Sequence, residues 1–149
     1  KTDKSMLSME GKYLVFALGK QEFGIDISNV REIIGRLPIR SMPGTPPFVK
    51  GVINLRGKVI PVMDLRLRFG MEEVETTDRS CIIVWEHIAD GAVANVGVAV
   101  DSVTEVLEIK TSEIEDTPYF GANVDTNYIL AIAKTKDGVK ILLDMYRLL

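Results

Sequence analysis

The sequence predicts an all-β chain built as two small five-stranded barrel halves, with short helical turns and a short C-terminal helix. Three observations lead there. Short apolar, β-branched runs recur between glycine-containing turns along the chain. Pro38, Pro43, Pro46 and Pro47 rule out a long helix between Ile34 and Phe48. The order of elements then repeats: Gly24-Ile25-Asp26-Ile27-Ser28-Asn29-Val30-Arg31-Glu32-Ile33 superposes without a gap on Gly97-Val98-Ala99-Val100-Asp101-Ser102-Val103-Thr104-Glu105-Val106, and Pro61-Val62-Met63-Asp64-Leu65 on Ile141-Leu142-Leu143-Asp144-Met145. A small barrel leaves no open sheet edge, and two side by side leave a groove between them.

In order, residues 1–11 form a polar arm, frayed or weakly helical. Tyr13 to Leu18 and Phe23 to Ile27 form a hairpin around Gly19-Lys20-Gln21-Glu22, and Ser28-Asn29-Val30 allows one helical turn before Arg31 to Ile34 extends again. Val52 to Leu55 and Lys58 to Met63 flank a tight Arg56-Gly57 corner, with glycine where φ must be positive. Asp64 caps a short helix, Leu65 to Phe69, closed by Gly70. The acidic stretch 72–79 connects the halves, taken as residues 12–70 and 80–149, with exchange of terminal elements left open. Strands follow at Ser80 to Glu86, Asn95 to Val100 and Val103 to Ile109, with Asp90-Gly91 as a turn. A polar stretch containing Pro118 leads to a last hairpin, Tyr128 to Thr135 and Val139 to Leu143, before Asp144 caps the helical end Met145 to Leu149.

Composition bounds the function. The 149 residues carry a net charge of −3, so the basic footprint of a nucleic-acid binder is missing. The single cysteine, Cys81, lies in an apolar run and reads as a small buried hydrophobe. A disulfide within the chain and a multi-cysteine zinc site are excluded, in keeping with a cytoplasmic protein. No apolar run approaches the roughly 18–20 residues of a membrane span.

Chemistry-bearing patterns are sparse. His87 is the only histidine, and no HExxH, CxxC, GxxxxGK[ST] or GxGxxG pattern occurs. The carboxylates of Glu72-Glu73-Val74-Glu75 and Glu113-Ile114-Glu115-Asp116 lie in polar connections without calcium-loop spacing. Catalysis, a metal and a cofactor are therefore not expected, which leaves surface recognition. Arg56 at its turn tip presents a planar donor fork, and spacing alone leaves open whether that fork meets a partner or solvent.

Tyr13-Leu14-Val15-Phe16, Phe23-Gly24-Ile25-Asp26-Ile27, Val30-Arg31-Glu32-Ile33, Pro46-Pro47-Phe48-Val49-Lys50-Gly51-Val52-Ile53-Asn54-Leu55-Arg56-Gly57 and Pro61-Val62-Met63-Asp64-Leu65-Arg66 together resemble the CheW family of bacterial chemotaxis coupling proteins, over about residues 12–149. The resemblance implies two SH3-like five-stranded β-barrel subdomains. It also implies a non-enzymatic adaptor in the cytoplasm that joins the cytoplasmic tips of methyl-accepting chemoreceptors to the C-terminal regulatory domain of the histidine kinase CheA, within receptor arrays. Its partner-binding surface carries over to Val30, Glu32, Ile33, Gly51, Arg56, Val103 and Val106. The expected turn from Ile88 to Ala94 is longer than the family leads one to expect. Two other readings stay open: a CheW-like domain from a CheV-type or CheA-type protein, and a small-ligand-binding barrel or hydrolase using Asp26, Asp64 or His87 between the subdomains.

Overall fold

The computed structural model describes residues 9–35, 37–118 and 126–149, and within them the chain is all-β. Its strands are β1 (Gly11–Leu18), β2 (Gln21–Asp26), β3 (Val30–Ile34), β4 (Val49–Leu55), β5 (Lys58–Asp64), β6 (Cys81–Ala89), β7 (Ala92–Val100), β8 (Ser102–Ile109), β9 (Ile114–Glu115), β10 (Ile129–Thr135) and β11 (Gly138–Leu143). Two one-turn helices, α1 (Leu65–Arg68) and α2 (Met145–Leu148), follow β5 and β11.

The strands form a six-stranded sheet in the order β8-β1-β2-β11-β10-β9 and a five-stranded sheet in the order β3-β6-β7-β5-β4. Contacts divide the chain accordingly. A terminal unit takes Lys1–Ser28 and Thr104–Leu149, and a central unit takes Asn29–Val103. The units therefore differ from the consecutive halves 12–70 and 80–149. Each repeat lends its leading hairpin to the other: β1 and β2 join β8, β10 and β11, while β6 and β7 join β3, β4 and β5.

The exchange is made at two parallel pairings. Leu142 of β11 stands opposite Gly24 of β2, and Val62 of β5 stands opposite Gly97 of β7. In both, a side chain lies where a Cβ would otherwise be: a Cβ on Gly24 would sit 2.9 Å from Leu142 Cδ2, and one on Gly97 would sit 3.2 Å from Val62 Cγ2. The aligned glycines thus mark a physical need shared by the two copies, close approach of a neighbouring strand.

The repeat also extends past the matching letters. Asp64 N donates to Phe48 O and Asp144 N to Tyr128 O, both at 2.8 Å, while Val49 N to Pro46 O and Ile129 N to Thr126 O both measure 3.0 Å. Asp64 accepts from Leu67 N at 3.3 Å, and Asp144 accepts from Tyr146 N at 3.1 Å, so both predicted caps are made.

The terminal unit buries Tyr13, Ile109, Ile114, Ala131, Ala133 and Leu142 together, with Phe16 and Phe23 stacked at 5.6 Å. Residues 9–11 of the expected loose arm are tied in. Tyr13 Oη donates to Met9 O at 2.5 Å, and Glu10 accepts from both Thr111 N and Thr111 Oγ1 at 2.7 Å. Those bonds hold the Glu10 carboxyl below its usual range. Residues 1–8 lie outside the described residues. In the central unit Ile53, Ile60, Val62, Ile82 and Val84 form the core. The predicted long turn from Ile88 to Ala94 is instead strand: β6 and β7 pair out to Ala89 and Ala92, and only Asp90 (φ 52°) and Gly91 (φ 75°) turn the chain. Two residues of positive φ suit the right-handed twist of the flanking strands.

Candidate partner-binding surface

Arg56 has a φ of 51° and Gly57 a φ of 86°, the same two-residue turn as at Asp90-Gly91, and Asn54 Oδ1 accepts from Gly57 N at 2.9 Å. The local chemistry therefore fixes where the Arg56 side chain leaves the hairpin. Its guanidinium meets Glu32 of β3 with both terminal nitrogens: Nη1 donates to Oε1 at 3.1 Å and Nη2 to Oε2. These hydrogen bonds hold the Glu32 carboxyl below its ordinary range and push the Arg56 guanidinium up. The pair is open to solvent, with the arginine side chain 69% exposed, so its value lies in orientation more than in stability.

β3 is the edge of the central sheet. A register shift between Val30 and Glu32 interrupts its ladder with β6, a bulge of the kind that alters where neighbouring side chains point. Val30 is half-buried, whereas Ile33 is 44% exposed. Beside them Arg31 donates through Nε to Glu86 Oε2 at 2.7 Å, with a second bond from Nη2 to Oε1.

Gly51 is placed differently: it is buried in β4 with a φ of 147°, and a Cβ there would lie 2.0 Å from Arg40 O. Arg40 forms an isolated β-bridge beside it, bonded to Val52 in both directions at 2.9 Å. Gly51 is buried and exposes no side chain. Val103 is half-buried near the start of β8. Val106, further along β8 in the terminal unit, is 51% exposed on that sheet's edge strand. Ile33 and Val106 occupy aligned positions of the two repeats, each on the edge of its own sheet.

A groove of about 540 Å³ on the central unit is lined by Arg31, Glu32, Arg56, Lys58, Val59 and Val93 among others. Sequence reasoning missed Arg31, Lys58, Val59 and Val93. Val59 did leave a signal: in Lys58-Val59-Ile60-Pro61-Val62, alternation buries Ile60 and Val62, so Val59 is an apolar residue at an outward position.

Asp26 Oδ1 accepts from Ser28 N and Ser28 Oγ at 2.9 and 2.7 Å, Asp64 caps α1, and His87 lies within β6. Among the described residues no group of three or more histidine, cysteine or acidic side chains is placed to hold a metal. Likewise no helix is long and apolar enough to cross a membrane.

Comparison with known proteins agrees with this architecture. The family model described as a CheW-like domain matches residues 12–149. The chain is 35% identical over 138 residues to the chemotaxis protein CheW of Klebsiella aerogenes, covering 93% of this chain and 81% of that one. To the CheW of Rhizobium meliloti it is 39% identical over 130 residues, covering 85% and 81%. The crystal structure of the scaffolding protein TtCheW from Thermoanaerobacter tengcongensis superposes with a TM-score of 0.81 at 38% identity, covering 94% of this chain and 92% of that one. With a family model spanning nearly the whole chain and the same all-β architecture in a solved relative, the chain belongs to the CheW-like domain family.

Proposed function

We propose that this protein is a chemotaxis adaptor, in the cytoplasm and associated with receptor arrays through its partners, that couples methyl-accepting chemoreceptors to the histidine kinase CheA by binding alone. The observation that carries the reading is the fixed Arg56–Glu32 pair at the rim of a groove with exposed Val59 and Val93, on the unit that also exposes Ile33. Apolar contacts framed by an oriented charge pair are how protein interfaces gain both energy and register. Val30 and Val103 extend the proposed surface within the central unit, Gly51 shapes it, and Val106 offers an apolar contact on the terminal unit. Relatives named as chemotaxis CheW proteins, and one solved as a scaffolding protein, support the same reading.

The test is a calorimetric titration of the chain with the C-terminal regulatory domain of its cognate CheA, repeated with Arg56→Ala. Saturable binding supports the adaptor, and its loss in the variant places the turn tip at the kinase. Binding kept by the variant moves Arg56 to the receptor side. Absence of binding to both the kinase domain and receptor cytoplasmic tips sinks the proposal.

A further inference from the structure

The leading hairpins of the two repeats differ in length. Gly24 pairs with Val15 and Gly97 with Val84, so these rungs correspond. From there β1 and β2 close at Leu18 and Gln21, whereas β6 and β7 run past the equivalent rung, His87 with Ala94, to Ile88 with Val93 and Ala89 with Ala92. Rungs two apart share a face of the sheet, which puts Ile88 and Val93 on the face that buries Val84 in the core. At its far end that face opens to solvent, with Ile88 47% exposed and Val93 60%.

Val93 lines the groove at Arg56 together with Val59 of β5. Val59, at 69%, and Val93 are the two most exposed large apolar side chains among the described residues, and both belong to one groove. Single exposed valines are ordinary, but two in one concave surface, with Ile88 beside them on the hairpin, mark an interaction site.

The rim supplies a charge preference. Of its four charged side chains, Arg31, Glu32, Arg56 and Lys58, Arg56 is matched by Glu32 and Arg31 by Glu86 of β6. Lys58 makes no hydrogen bond or ion pair among the described residues. The groove therefore carries one uncompensated positive charge on a chain whose net charge is −3.

We propose that the extended β6–β7 hairpin is a docking wall for an acidic, apolar segment of a partner protein, whose apolar side chains pack on Val59 and Val93 and whose carboxylate pairs with Lys58. A basic segment would meet Arg31, Arg56 and Lys58 at the same rim and be repelled. The assignment rests on the adaptor reading. It adds the chemistry that the kinase domain or receptor tip must present, and it makes hairpin length the feature that builds the contact.

The test uses the intact chain, titrated calorimetrically with the C-terminal regulatory domain of its cognate CheA and, separately, with receptor cytoplasmic tips. One variant deletes residues 88–89 and 92–93, which leaves the Asp90-Gly91 turn on the His87–Ala94 rung and matches the length of β1–β2. A second, Val93→Ser, removes one exposed apolar side chain and keeps the test decisive if the shortened hairpin fails to fold. Each should weaken at least one partner by about tenfold or more. Lys58→Glu should weaken the same partner by a similar factor, a loss that added salt relieves. Lys20→Glu, the same change at the exposed turn of the shorter hairpin, should leave binding as it is. Wild-type affinity for both partners in the shortened and Val93→Ser chains overturns the proposal while the adaptor reading stands. Equal losses with Lys58→Glu and Lys20→Glu also overturn it, because the charge effect would then be general. If the wild-type chain binds neither partner, the adaptor reading falls and this assignment with it.

Discussion

Arg56 clasps Glu32 across a sequence separation of 24 residues, joining the tip of the β4–β5 hairpin to the exposed edge strand β3. Because the pair is solvent-exposed, Arg56→Ala and Glu32→Ala should leave the melting temperature essentially unchanged. On the proposed adaptor reading, each should weaken association with the kinase or receptor by about tenfold or more. A marked fall in melting temperature for either variant would assign the pair a structural role instead.

Ile33→Asp and Val106→Asp place a charge on exposed apolar positions of the two edge strands. Neither should disturb folding, and each should abolish whichever contact its strand makes, because the carboxylate would be desolvated without a partner. Pull-down with separate receptor and kinase fragments reads the two contacts independently. Full binding to both fragments by one of these variants removes that residue from the proposed surface.

Gly51→Ala must displace the Arg40 carbonyl, since the added Cβ would approach it to 2.0 Å at a φ of 147°. A loss of about 3 kcal/mol is expected, combining backbone strain with a forced shift of the Arg40 bridge. Gly57→Ala, at a φ of 86° with open space around the Cβ, should cost about 1 kcal/mol. Urea unfolding midpoints compare the two, and equal losses would contradict the close approach at Gly51.

The aligned glycines should respond unequally. A Cβ on Gly24 meets the end of a flexible leucine, Leu142 Cδ2 at 2.9 Å, whereas one on Gly97 meets Ile82 Cγ2 at 2.9 Å and Val62 Cγ2 at 3.2 Å. Both of the latter are β-branched and stiff at χ1. Gly24→Ala should thus cost about 1 kcal/mol and Gly97→Ala about 2–3 kcal/mol. The reverse order in denaturant titrations would show that the strand around Gly97 yields more readily than its side chains imply.

Tyr13 supplies a pH dependence. Burial first, and the charge of Asp26 second, push its phenol up to about 12. An unfolded tyrosine loses its proton near pH 10, so above that pH the unfolded chain ionises while the native one resists. Stability tied to Tyr13 is complete below about pH 10 and falls as the pH rises toward 12. Tyr13→Phe should flatten that alkaline decline in unfolding midpoints, and an unchanged slope would place the titrating group elsewhere.

What was legible in the sequence was local. The Arg56-Gly57 corner and the Asp64 and Asp144 caps depend on residues a few positions apart, and each formed where turn and capping chemistry put it. The β6–β7 hairpin extends further than local pattern indicates, because the small alanines between His87 and Ala94 read as loop although the pairing is continuous through both. The need for glycine at position 51 comes from Arg40, a contact no local pattern reports. The sequence leaves the hairpin exchange open for a related reason: when two copies carry the same pattern, the letters suit either pairing, and only the strand neighbours tell them apart. Of the candidate site, the Glu32 and Arg56 residue types were readable, while Arg31, Lys58, Val59 and Val93 joined the groove through sheet geometry.

The exchanged hairpins impose an order on how the chain can mature. The central sheet is complete once Val103 has been made, because all five of its strands precede that residue. The hairpin of β1 and β2 emerges before the central unit, yet β11, its parallel neighbour, is synthesised after it. A ribosome paused between β8 and β10 would hold one finished sheet and one early hairpin still without its cover, with Phe23 and Ile25 among the side chains left to shield. Closing the terminal unit joins segments separated by the whole central unit, so it carries the larger loop-closure entropy of the two.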